Sequence, residues 1–139
     1  MRILLNLFCC LLIPVFSFSQ SASLSKCWRY EIKCSHDPYL NHSVEGVKNQ
    51  PDTSYQLSIE EVIKLNDFLQ AHKLYKTPDA DPEKHFDIRL VFLFGDEAGK
   101  RHELGFDCDG NYELDGISYS FNDKIATALD ELKNNSIQN

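Results

Sequence analysis

Cys34, His36 and His42 are side chains of the types that hold transition metals, and they fall in one polar stretch, CSHDPYLNHSVEGVKNQP, from Cys34 to Pro51. Structural zinc sites bring ligands in close pairs, typically about two to five residues apart, with a second pair elsewhere. The spacing of these three matches no such pattern, so they read as ordinary loop residues and no metal is expected. Asp107 to Gly116, DCDGNYELDG, has the acidic, glycine-bearing character of a calcium loop. If Asp107 and Asp109 took its third and fifth positions, Gly105 and Gly116 would stand where the two anchoring carboxylates belong. Two hairpin turns account for the same residues.

For nucleophilic catalysis the chain offers no GxSxG elbow, and it contains no glycine-rich phosphate loop, HExxH or CxxC. His102 and Cys108 lie on the same face of one candidate strand, which makes His102 a half-buried structural residue. The expected function is therefore non-enzymatic, with no cofactor: a small secreted or periplasmic binding protein of the inhibitor, adaptor or envelope-assembly type. The alternative is a small exported enzyme or metal-binding protein that gathers His36, His42, His85 or His102 beside carboxylates. Asn41-His42-Ser43 and Asn134-Asn135-Ser136 fit the glycosylation acceptor pattern of a eukaryotic secretory pathway.

Export is read from the first 19 residues. Arg2 precedes a mostly apolar run from Ile3 to Phe16, and Ser17 and Ser19 put small residues where a leader peptidase needs them. The run is too short to span a bilayer. Residues 1–19 are a signal peptide on this reading, and residues 20–139 are a single domain with a polar C-terminal tail and no membrane span. Cys9 and Cys10 leave with the leader, so Cys27, Cys34 and Cys108 remain for an oxidising compartment. Trp28, Tyr30 and Ile32 alternate with Arg29, Glu31 and Lys33 as a strand does, and the seven steps from Cys27 to Cys34 then span roughly 23 Å, beyond disulfide reach. Cys34 with Cys108 is the expected bond. The formal charge is −7, and loss of Arg2 deepens it to −8; an acidic chain of this kind is not built for nucleic acid. Another protein is the expected partner.

The elements that position these residues are those of an α+β fold. Phe86, Ile88, Leu90, Phe92 and Phe94 alternate without a break, the signature of a strand with one buried face. They open a four-stranded antiparallel meander over about 86–121, and the N-terminal strand adds to it. Placing Phe94 opposite Lys100 sets Leu90 against Leu104, Ile88 against Phe106, Phe92 against His102 and Asp87 against Asp107. A three-residue loop, Asp109-Gly110-Asn111, keeps Tyr112 and Leu114 on the core face, and Asp115-Gly116 is a two-residue type I′ turn. Thr53 to Leu57 can form a short strand. Ser58 with Glu61 makes a capping box and Leu57 with Val62 a hydrophobic staple for a helix over about 59–72, whose last turn carries His72 and Lys73 as cations. Asn122 caps a second helix over about 123–133, with Phe121, Ile125, Ala128, Leu129 and Leu132 on one side.

Both helices are expected on the even face of the meander, burying Phe86, Ile88, Leu90, Phe92, Leu104, Phe106, Leu114, Ile117 and Tyr119 with Val62, Phe68, Leu69, Ile125, Leu129 and Leu132. The odd face then carries Arg89, Val91, Leu93, Arg101 and Glu103, with Gly105 and Asp107 beside them. An apolar centre with a charged rim suits protein binding, unless the strand bearing Trp28 and Tyr30 or the loop from Cys34 to Pro51 folds over it.

Overall fold

The computed structural model describes residues 24–35, 41–81 and 83–134. The expected leader, His36 and most of the polar tail lie outside these residues. Nine elements follow in chain order: β1 (Ser25–Glu31), α1 (Val44–Asn49), β2 (Thr53–Gln56), α2 (Ile59–Tyr75), β3 (Leu90–Gly95), β4 (Arg101–Phe106), β5 (Tyr112–Leu114), β6 (Ile117–Tyr119) and α3 (Asp123–Lys133). The strands form one antiparallel sheet in the order β2-β1-β3-β4-β5-β6. The class is α+β. The meander occupies one half of the sheet, and β1 with β2 extends it from β3 outward.

The two long helices pack on one face, over Leu90, Phe92, Phe94, Leu104, Phe106 and Tyr112. Phe68 of α2 meets Phe106 and Tyr112 edge-on, with ring centroids 5.1 and 5.3 Å away. α2 begins as its sequence dictates: Ser58 Oγ accepts from the Glu61 amide, and the Glu61 carboxylate accepts from the Ser58 amide. It runs one turn beyond the expected end, to Tyr75. Asn122 caps α3 through the Lys124 amide, and its Nδ2 donates to the Tyr75 carbonyl, so one side chain joins the end of α2 to the start of α3.

A third helix departs from expectation. Val44–Asn49, inside the stretch expected to be irregular, forms α1, with Ser43 as its N-cap. It packs on the opposite face, where Val47 joins Ile32, Phe86, Ile88 and Val91 in a second core. Phe86 and Ile88 are thus buried, but not under the long helices. The regular strand starts only at Leu90, because the segment before it is diverted: the Ile88 amide donates to the His42 carbonyl, outside the sheet. Gly105 makes room for this layer. A Cβ there would lie 2.9 Å from Val44 Cγ2 and 3.0 Å from Ile88 Cγ2.

Register differs from expectation by two residues at both inner hairpins, which leaves the faces unchanged. Phe94 pairs with His102, Phe92 with Leu104 and Leu90 with Phe106. The cause is the turn. Asp96 pairs with Lys100 across a three-residue loop that ends on Gly99 at φ 78°, the bulged hairpin form. The β4–β5 loop also has three residues, but they are Cys108-Asp109-Gly110, with Gly110 at φ 97°. Asn111 is instead locked to the Asp107 carboxylate through both its amide and its Nδ2, each at 2.8 Å. This removes the expected Asp87–Asp107 opposition and moves Cys108 from the core face into an exposed turn. The Asp115-Gly116 turn pairs Leu114 with Ile117 and Tyr112 with Tyr119, as expected. Ile117, however, lies on the far edge and is 56% exposed, and Phe121 is exposed too. Val62, Leu69 and Leu114 are only half-buried.

Candidate functional site

The face that holds α1 is also the face on which a binding surface is expected, and α1 divides it. Val91 is completely buried in the second core, and Arg89 is 3% exposed. Arg89 Nε and Nη2 donate to Asp87 Oδ2 at 2.9 and 2.7 Å, and the His42 amide donates to Asp87 Oδ1 at 2.8 Å. Partial burial opposes ionisation of Asp87, but the bonds from Arg89 and His42 hold its pKa below the usual carboxylate range. Arg89 and Val91 therefore belong to the wall that seats the 41–49 segment. An open apolar centre at Val91 is not what the chain presents.

Leu93, Arg101 and Glu103 lie beyond the end of α1. They border a groove of about 330 Å³ at the end of the sheet where β3 turns into β4. β1 supplies its other side, because Trp28 pairs with Leu93 and Tyr30 with Val91. The two rings stand two residues apart on one face of the strand, 6.5 Å between centroids and 32° apart in plane. Trp28 is 40% exposed. Lys26 and Arg101 are exposed on the border and make no ion pair among the described residues. Lys48, from the last turn of α1, reaches Glu103 Oε1 at 2.6 Å and Glu45 Oε2 at 2.7 Å. Partial burial disfavours its charge, yet the bonds to Glu103 and Glu45 lift its pKa. The groove thus has an aromatic and aliphatic floor, a neutralised Lys48–Glu103 pair on one side and, on another, cations without ion pairs among the described residues.

The end of the groove is stiffened by His102. Its Nδ1 meets Asp115 Oδ2 at 2.7 Å and its Nε2 meets Asp96 Oδ2 at 3.0 Å, while its ring stacks on Phe94 at 5.3 Å. The hydrogen bond with Asp96, joined by that with Asp115, raises the His102 pKa against partial desolvation. Both ring nitrogens face carboxylates, so the ring ties the β3–β4 turn to the Asp115-Gly116 turn. His42 sits 3.2 Å from Asp87, and His85 is exposed. Among the described residues no three His, Cys, Asp or Glu side chains gather as a metal site would require.

His72, expected as a cation at the helix C-terminus, is buried. Its Nδ1 lies 2.9 Å from the Tyr112 hydroxyl, and its ring stands edge-on to Tyr112 and Tyr119. Burial, aided by the nearby charges of Lys76 and Lys73, lowers its pKa, so it is a neutral core residue. Cys34 and Cys108 form a disulfide, and Cys27 is a buried free thiol. Among the described residues no helix is long and apolar enough to cross a membrane.

Sequence reasoning named Leu93, Arg101 and Glu103 but not Trp28, Tyr30, Lys26 or Lys48 as their companions. The signal for the aromatic pair was present in the alternation of β1. What the sequence lacked was the pairing of β1 with β3, a contact between segments about sixty residues apart. Comparison with protein-family models, curated proteins and solved structures finds no match.

Proposed function

We propose that this chain is a non-enzymatic binding module, secreted or periplasmic, whose partner is a protein segment combining an apolar side chain with acidic ones. The observation that carries this reading is the groove in which exposed Trp28 stands beside Leu93, with Lys26 and Arg101 at its border and without ion pairs among the described residues. Trp, Tyr and Arg are the residues most enriched at the energetic centres of protein interfaces. The local cations stand out on a chain of formal charge −7, so they attract an acidic segment selectively. The disulfide suits an oxidising compartment.

The test uses display of random peptides on the purified protein, followed by capture from the envelope or extracellular fraction of the source cells. Selected peptides should carry Asp or Glu flanking an aromatic or aliphatic residue. Trp28→Ala should weaken them by about 2 kcal/mol or more, and Arg101→Glu should abolish capture of the natural partner without lowering the melting temperature. Peptides with no acidic bias, or binding indifferent to both substitutions, would remove the groove as the site.

A further inference from the structure

A second cleft, of about 340 Å³, lies on the side of the sheet that carries the long helices, between α2 and the β3–β4 end. Leu24, Leu69, Phe94 and Leu114 give it apolar walls. α2 turns Asn66, Leu69, Gln70 and Lys73 toward it, at the spacing of a single helical stripe. The size lies at the lower end of the range for small-molecule sites, and such sites are typically apolar with a few converging polar groups. Water in contact with apolar walls is readily displaced by an apolar molecule, and smaller apolar cavities already take up such ligands.

The polar groups of the cleft are unevenly satisfied. Asp96 is engaged by His102 at 3.0 Å. Lys73, at the rim, makes no ion pair among the described residues, and its charge is felt at His72 in the wall. Asn66 Oδ1 is buried and meets no hydrogen-bond donor among the described residues. The unanswered charge is positive, and it stands at the border of an apolar space.

We propose that this cleft binds a small aliphatic carboxylic acid, with its chain against Leu69, Phe94 and Leu114 and its carboxylate at Lys73. A neutral chain of the same length would satisfy the walls but not the lysine. A carboxylate at an exposed lysine gains no more than a surface ion pair does, so the preference for the acid is modest.

The test titrates isotope-labelled protein with octanoate and, separately, with 1-octanol, following the leucine methyl and Phe94 ring signals. Octanoate should saturate with one molecule per chain, shift Leu69, Leu114 and Phe94 together, and bind about fivefold more tightly than octanol. Lys73→Gln should erase that preference while leaving octanol binding unchanged. Gln70 is exposed on the cleft wall, so Gln70→Trp should close the mouth and abolish saturable binding of both without disturbing the core. The cleft is overturned as a site if neither ligand saturates by about 1 mM, or if Gln70→Trp changes nothing. Equal affinity of the wild type for acid and alcohol overturns the carboxylate assignment.

Discussion

His72 and His102 are shifted in opposite directions by their surroundings. His102 is held by two carboxylates, which raises its pKa, while His72 is buried against Tyr112, which lowers its own. Linkage gives them opposite signs. A raised folded pKa means that the His102 contribution is fully present below the ordinary imidazole value of about 6.5 and is lost as pH rises through the folded value. A lowered one means that the His72 contribution is present above about 6.5 and is lost as pH falls through the folded value. Wild type should therefore exceed His102→Gln in stability most at pH 5.5 and least at pH 8.5. For His72→Leu the pH trend should reverse, with wild type gaining on the variant as pH rises. That variant also strands the buried Tyr112 hydroxyl, a loss of about 1–3 kcal/mol at any pH. Denaturant midpoints across this pH range check both trends; parallel curves for wild type and His102→Gln would show that the two carboxylates do not hold an imidazolium.

At the scale of elements, the third helix decides which part of the sheet is available to a partner. α1 has six residues, too few to be stable alone, so it exists because Val47 is seated in a core to which Gly105 and Ile88 give shape. Gly105→Val would overfill that seat at a cost of about 1–3 kcal/mol. It should also speed hydrogen exchange at the Val47 amide, which donates to the Ser43 carbonyl, ahead of global unfolding. An unchanged midpoint and unchanged exchange would mean that α1 does not depend on this seat. The same helix shows why the sequence was legible in some places only. The meander, the capping box and the second long helix announced themselves through strong periodicity and local capping chemistry, which depend on neighbours in the chain. α1 has just two apolar positions, Val44 and Val47, and a glycine between them, so its helicity comes from tertiary packing. Register slipped for a related reason. Apolar alternation fixes a strand's face but is unchanged by a shift of two, and the choice was made by Asp96, Gly99 and Asn111 in the turns. The face on which a binding surface is expected was half legible, since Leu93, Arg101 and Glu103 are local to the meander whereas Val91 is covered by a segment more than forty residues earlier.

For the whole molecule, the cysteines tie these parts together. The bond between Cys34 and Cys108 joins the end of β1 to the β4–β5 turn across 74 residues of sequence, so it restrains a chain segment that includes α1, β2, α2 and β3. Closing a loop of that length stabilises a small domain by about 2–4 kcal/mol, chiefly through the unfolded chain. Cys34→Ser and Cys108→Ser, singly or together, should lower stability by that amount, and the double variant should cost no more than either single one, because each removes the same bond. Cys27 behaves differently. Its thiol is buried in the main core, and burial raises its pKa, so it should resist alkylation until the protein unfolds. Thiol titration of the purified protein then reads two things at once. Under native conditions no thiol should react in a chain that has lost residues 1–19. In denaturant without reductant a single thiol should appear if the leader has been removed, and three if Cys9 and Cys10 are still attached. A thiol reactive in the native state would contradict the burial of Cys27, and loss of the denatured signal would mean that Cys27 has found a disulfide partner in another chain.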